Sequence, residues 1–250
     1  MGSLKAGVQR LANACGYQIQ RLDAPPPPHR LEEDPSYAPI IAAVRPYTLT
    51  SCERIGAFVD AIRYVSKAGI PGAVVECGVW RGGSMMAAAL TLLEVGDIRD
   101  LYLFDTFAGM TQPTEHDIEV GGEVAGRRFA ASAAGDHNEW CYATLDEVRA
   151  NLLSTGYPGD RCHLIDGDVL ATVPHDGLDD IAVLRLDTDW YESTLHELRH
   201  LHPKLRQGGL LIVDDYGHWQ GCRKAVDEYF EGRPPFLFSI DYTARMAVRA

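Results

Sequence analysis

The sequence predicts an α/β fold: a doubly wound, mostly parallel, Rossmann-like sheet that ends in a C-terminal antiparallel hairpin. Three observations carry this. Short apolar runs alternate with amphipathic segments from about residue 50 onward, the rhythm of repeated βαβ units. The runs are apolar at nearly every position rather than every second one, as expected of strands covered on both faces. Near the end of the chain two short runs flank Asp241, the arrangement of a closing hairpin.

Each element has a local reason. Residues 4 to 22 have apolar positions compatible with a short helix, and Pro25 to Pro28 impose an extended polyproline segment. Residues 1–46 therefore read as a helical, Pro-rich arm and residues 47–250 as the main domain. Thr50 and Glu53 have capping-box spacing, and Ile55, Phe58, Val59, Ile62 and Val65 recur at helical intervals up to Gly69. Then follow a strand Ala73 to Cys77, a helix after Gly83, a strand Leu101 to Asp105, a helix Leu145 to Leu153, and strands Cys162 to Asp166 and Ala182 to Asp187. A helix after Ser193, a break at Gly208-Gly209, a strand Leu210 to Val213 and a helix around Cys222 to Phe230 precede the hairpin. Residues 109 to 140 are longer than an ordinary connection and read as a substrate lid or a surface insertion.

Composition excludes several classes. With 250 residues the chain suits one full-sized domain, and its net charge of -12 repels phosphate backbones, so no nucleic-acid partner is expected. The six cysteines are never closer than 162 − 141 = 21 residues, which excludes a CxxC pair and suggests reduced thiols. No apolar run approaches the roughly 20 residues of a membrane span, so no membrane partner and a cytoplasmic location are expected. A homo-oligomer is expected as well.

In a doubly wound sheet ligands sit beyond the carboxyl ends of the strands. Those ends are acidic here: Glu76, Asp105, Asp168, Asp187 and Asp214. One such acid is commonly a turn or a helix cap, but five form a constellation. The turn after the first strand places Gly78, then Gly82 and Gly83, before Ser84, which is not the GxGxxG spacing that cradles a pyrophosphate. Glu76 would repel a pyrophosphate yet suit an ammonium group, and Asp105 can accept both ribose hydroxyls. These preferences describe S-adenosylmethionine.

Asp187-Thr188-Asp189 and Asp214-Asp215 are separated by 214 − 187 = 27 residues, one strand-helix-strand crossover, so neighbouring strand ends would bring them together. Clustered carboxylates call for a hard cation such as Mg²⁺. Alternate strand residues face opposite ways, so one ligand, Asp187, and one general base, Asp189, is the natural division. His218 ranks below Asp189 as a base, and His218, Trp219 and Gln220 are candidate walls of the acceptor pocket.

The segments Glu76-Cys77-Gly78-Val79-Trp80-Arg81-Gly82-Gly83, Leu186-Asp187-Thr188-Asp189-Trp190-Tyr191-Glu192-Ser193-Thr194 and Val213-Asp214-Asp215-Tyr216 together resemble the macrocin O-methyltransferase family, over roughly residues 47 to 248. The resemblance implies S-adenosylmethionine- and Mg²⁺-dependent methylation of sugar hydroxyls in macrolides, aminocoumarins and related glycosides. It implies Asp187, Asp214 and Asp215 as metal ligands and Asp189 as the base. The cofactor would be held by Glu76, Gly78, Ser84, Asp105, Thr106, Gly167, Asp168 and Asp187, with Tyr47 and Thr48 closing over it. The chain departs from the family pattern at Thr106, often Ser, at Gly167-Asp168, usually Gly-aromatic, and across residues 109 to 140. Rival readings are a metal-dependent catechol or phenol O-methyltransferase and a nucleoside-binding scaffold without activity.

Overall fold

The computed structural model describes residues 7–8, 11–17, 30–233 and 235–250. The chain divides into two compact units, Met1–Arg30 and Leu31–Ala250. In the first, residues 11–14 are helical; Pro25 to Pro28 and most of the expected arm helix lie outside the described residues. The second unit starts at Leu31 rather than at residue 47. The physical reason is a helix α1, Ala38–Val44, whose Ile40, Ile41 and Val44 are buried in the main core.

Helix α2 spans Cys52–Ala68 and buries Ile55, Phe58, Val59, Ile62 and Val65, the stripe read from the sequence. Its cap is Ser51 and not Thr50: Ser51 Oγ accepts the Arg54 N–H at 3.1 Å. Thr50 is buried and turned toward Arg185. Gly69 ends the helix in the left-handed conformation, φ 66°.

The remaining elements are β1 Ala73–Cys77, α3 Gly83–Val95, β2 Leu101–Asp105, α4 Ala125–Ala131, β3 Ala133–Ala134, β4 His137–Asn138, α5 Leu145–Leu153, β5 Cys162–Asp166, α6 Val169–Thr172, β6 Ile181–Leu186, α7 Tyr191–His200, β7 Leu205–Val213, α8 Gln220–Tyr229, β8 Phe238–Ser239 and β9 Arg245–Val248. The main sheet has the order β5-β2-β1-β6-β7-β9-β8. The first five strands in this order pair in parallel and β9 joins β7 and β8 antiparallel, which is the expected closing hairpin. Two boundaries differ from the sequence reading. Strand β7 runs through Gly208-Gly209 instead of breaking there, with a register shift against β6 absorbing the irregularity. Helix α7 begins at Tyr191, ahead of Ser193.

Residue parity sorts the two cores. Val74, Leu101, Leu103 and Val183 face α2, α3 and α5, whereas Val75, Tyr102, Phe104, Leu184, Leu186 and Val213 face the layer of α7 and α8. The chain winds outward from β1 through β2 to β5, then returns to β6 on the other side of β1, which creates a switch point between β1 and β6. Residues 109 to 140 form an ordered roof above this point, holding α4 and the β3–β4 ribbon. Bridges Ile118–Val124 and Glu119–Trp219 fix it, and Val120 and Gln220 exchange backbone hydrogen bonds across it with His218 and Ile118.

Candidate active site

At the switch point the strand ends open into a cavity of about 320 Å³. Of the acids expected there, Asp105, Asp168, Asp187, Asp214 and Asp215 line it, together with Asp189. Three of them gather tightly: carboxylate oxygens of Asp187, Asp214 and Asp215 lie within 4.8 Å of one another. Strand pairing explains this, because Leu186 of β6 is in register with Val213 of β7, so the residues following each strand emerge side by side.

Asp189 stands outside that trio. Strand β6 ends at Leu186, so the alternation rule no longer applies, and Asp189 has φ 68°. This turn lets both Asp187 and Asp189 face one cavity while occupying different places in it. Asp189 packs against Asp215 and Trp219; burial, with repulsion from Asp187 and Asp214, pushes its carboxyl up to about 7. Burial and the same mutual repulsion hold Asp187 and Asp215 well above the ordinary carboxylate range.

Two arginines offset part of this charge. Arg185, 1 % exposed on β6, donates to Glu76, Asp187 and Asp214. Arg54, from α2, donates to Asp214 and forms an ion pair with Asp241. Five carboxyls, those of Glu76, Asp187, Asp189, Asp214 and Asp215, thus face two guanidiniums. Oδ2 of Asp215 is buried without any hydrogen-bond partner. An orphaned carboxylate oxygen beside two others is a site into which a hard dication fits, since three oxygen ligands remain and charge is left uncompensated.

Across the cavity lies the β1–α3 turn. Gly78 has φ 79°, and a Cβ there would fall 2.2 Å from the Asp187 carbonyl oxygen, so only glycine lets this turn pack against the acidic loop. Gly83 serves a second close approach: a Cβ would meet the Tyr47 carbonyl oxygen at 2.5 Å. Thr48 and Ser84 accordingly line the cavity, whereas Tyr47 lies outside it, its ring against the Arg81 guanidinium at 5.3 Å. Asp105 uses its carboxylate to order the turn, accepting the Val79 and Trp80 N–H groups at 2.7 and 3.1 Å and the Phe107 N–H at 2.9 Å. Thr106 and Gly167 are wall residues, and Asp168 both lines the cavity and caps α6 by accepting the Leu170 N–H at 2.9 Å. Glu76 is placed differently from the expectation. It is 1 % exposed, is absent from the cavity lining and pairs with Arg185, its register partner on β6.

Trp219 and His218 also line the cavity, Gln220 does not, and the roof adds Met110, Thr111 and Trp140. Trp190 packs edge to face against Trp140 and Trp219 with centroids 5.5 and 5.0 Å apart, and Trp140 and Trp219 are tilted at 6.1 Å.

A family model described as macrocin-O-methyltransferase matches residues 35–246. The chain belongs to the macrocin O-methyltransferase family. It is 34% identical over 184 residues to an 8-demethyl-8-(2,3-dimethoxy-alpha-L-rhamnosyl)-tetracenomycin-C 4'-O-methyltransferase of Streptomyces olivaceus, covering 73% of this chain and 67% of that one. It is 31% identical over 185 residues to the mycinamicin III 3''-O-methyltransferase of Micromonospora griseorubida, covering 73% and 70%. Among solved structures, the O-methyltransferase NovP superposes with TM-score 0.69 at 30% identity over 82% of both chains. Membership in this family makes the chain an O-methyltransferase. Among the described residues no helix is long and apolar enough to cross a membrane.

Several members of the site escaped the sequence reading. Arg185 left a signal, being the one charge inside the apolar run Ile181–Leu186. Arg54 left none, since a basic residue on an amphipathic helix is ordinarily solvated. Glu197 is wholly buried on α7, where its Oε1 accepts the Thr188 hydroxyl at 2.9 Å and so steadies the acidic loop from behind.

Proposed function

We propose that this O-methyltransferase uses S-adenosylmethionine and a divalent metal, Mg²⁺ by the hardness of its ligands, to methylate a sugar hydroxyl of a glycosylated natural product or a nucleotide sugar. The observation that carries the reading is the trio Asp187, Asp214 and Asp215 within 4.8 Å, beside Asp189 in the same cavity. The sugar acceptors named for the relatives from Streptomyces olivaceus and Micromonospora griseorubida support the acceptor class.

When bound, S-adenosylmethionine supplies the electrophilic methyl group and the divalent ion lowers the pKa of the acceptor hydroxyl. Asp187, Asp214 and Asp215 would hold the ion, and Arg185 and Arg54 keep Asp214 in place for that role. Thr48, Gly78, Ser84, Asp105, Thr106, Gly167 and Asp168 would enclose the cofactor. Met110 and Trp219 are apolar wall residues that would exclude water from the acceptor side. Asp189 takes the hydroxyl proton as the oxygen attacks, and its raised pKa matches a base working near neutral pH. The test is a methyl-transfer assay over nucleotide sugars, glycosylated natural products and catechols, with Mg²⁺ and with EDTA. Methylation of a sugar acceptor that EDTA abolishes is expected; turnover in chelator, or of catechols alone, overturns the reading.

A further inference from the structure

The walls of the cavity are acidic, with Asp105, Asp168, Asp187, Asp189, Asp214 and Asp215 all facing it. Arg54 and Arg128 are the guanidiniums on its lining, and Arg54 is committed to Asp214 and Asp241. Arg128, on α4 of the roof, has no ion pair or side-chain hydrogen bond among the described residues. Its guanidinium carbon lies 4.2 Å from the centroid of the Trp140 ring. The platform beneath it is rigid: Trp140 is 7% exposed, abuts Trp190 and Trp219, and has its backbone N–H held by Asn138 Oδ1 at 3.0 Å.

Position adds a second argument. Arg128 and Trp140 also line an adjoining recess of about 360 Å³, with Leu49, Trp80 and Tyr142, so Arg128 stands where the two spaces meet. The acid of that recess, Glu139, contacts His137 Nε2 at 3.0 Å and makes no ion pair with Arg128. A guanidinium over a ring, with no carboxylate or carbonyl partner among the described residues, keeps its N–H groups available, and these form the fork that binds phosphate oxygens. A row of carboxylates repels an anionic acceptor unless a cation at the entrance compensates.

We propose that Arg128 binds a phosphate group on the acceptor, so that the substrate is a phosphate-bearing, nucleotide-linked sugar and not a neutral glycoside. This rests on the sugar O-methyltransferase reading above: the hexose occupies the acidic cavity and its phosphate the mouth at Arg128.

The experiment is calorimetric titration of dTDP-glucose and of methyl α-glucoside into the full chain loaded with S-adenosylhomocysteine and Mg²⁺, for wild type, Arg128→Gln and Arg128→Lys. Wild type should bind dTDP-glucose at least tenfold more tightly than methyl α-glucoside. Arg128→Gln should lose that advantage, Arg128→Lys should keep part of it, and S-adenosylhomocysteine affinity should be the same in all three. The inference is overturned if wild type does not prefer dTDP-glucose or if Arg128→Gln binds it normally. It is overturned too if Arg128→Gln weakens S-adenosylhomocysteine instead, which would make Arg128 a partner of the cofactor carboxylate. Failure of wild type to bind S-adenosylhomocysteine at all would overturn the function itself, a result separate from the others.

Discussion

The Asp117 carboxylate ties the roof to the Asp187-Thr188-Asp189 turn: its Oδ1 accepts the Tyr191 N–H at 2.8 Å, at the first turn of α7 and two residues beyond Asp189. Its Oδ2 accepts the Thr114 N–H at 2.6 Å and the Thr114 hydroxyl at 2.9 Å, and the residue is wholly buried. One side chain therefore orders the start of the 109 to 140 segment and the end of the Asp187-Thr188-Asp189 turn together.

Asp117→Ala would leave these part-buried donors unpaired. We expect a loss of about 1–3 kcal/mol in urea unfolding, the usual cost of orphaning buried polar groups. Limited proteolysis should shift toward residues 109 to 140. Unchanged stability and an unchanged cleavage pattern would show that the roof is held by its other contacts.

Asp215 allows the proposed ion site to be tested apart from the stability of the fold. Unlike Asp214, which both Arg54 and Arg185 hold, Asp215 has a partnerless buried oxygen and sits among like charges. Asp215→Asn should thus leave the metal-free protein as stable as wild type or more so, while removing the rise in Tm that Mg²⁺ gives and abolishing turnover. Retention of that Mg²⁺-dependent rise would exclude Asp215 as a ligand.

How much of this was legible follows from where each signal lies. The strand-end acids could be read because a doubly wound sheet puts successive strand ends at one edge, so linear spacing maps onto proximity. The expected alternation for Asp187 and Asp189 was replaced by a turn with positive φ, which sequence spacing does not reveal. Glu76 was assigned to the cofactor from its place after an apolar run; its partner Arg185 is 109 residues away, and only the β1–β6 register joins them. Asp117 lay in a segment without periodicity, so nothing marked it as buried.

Glu197 gives a pH signature that needs no substrate. Burial pushes its carboxyl up to about 8 from an ordinary 4.5. The folded state therefore retains this proton where the unfolded chain has lost it: the stabilisation is full below pH 4.5 and is lost as pH rises through about 8. Glu197→Gln cannot ionise, so between those values its stability should fall less steeply with pH than that of wild type. Urea midpoints measured from pH 5 to 9 check this, and parallel curves for the two proteins would contradict it.

Asp189 is the residue on which the proposed chemistry turns. It lies in the cavity beside Asp215 yet outside the trio of close carboxylates, which suits proton transfer better than ligation. Asp189→Asn should lower kcat by about 10²- to 10⁴-fold, the range for loss of a general base, while Mg²⁺ and S-adenosylmethionine still bind. In wild type the rate should rise with pH as Asp189 ionises and then plateau. Its carboxyl lies near 7 without the ion, and a nearby dication favours the charged form, so the rise should fall below that value. The variant should lack this inflection and continue to gain activity in alkali, where hydroxide replaces the missing carboxylate. His218 also lines the cavity, with Glu119 at 3.7 Å, and His218→Asn provides the control. If that variant loses the inflection while Asp189→Asn retains near-normal turnover at neutral pH, the proton passes to His218 and the assignment of Asp189 is wrong.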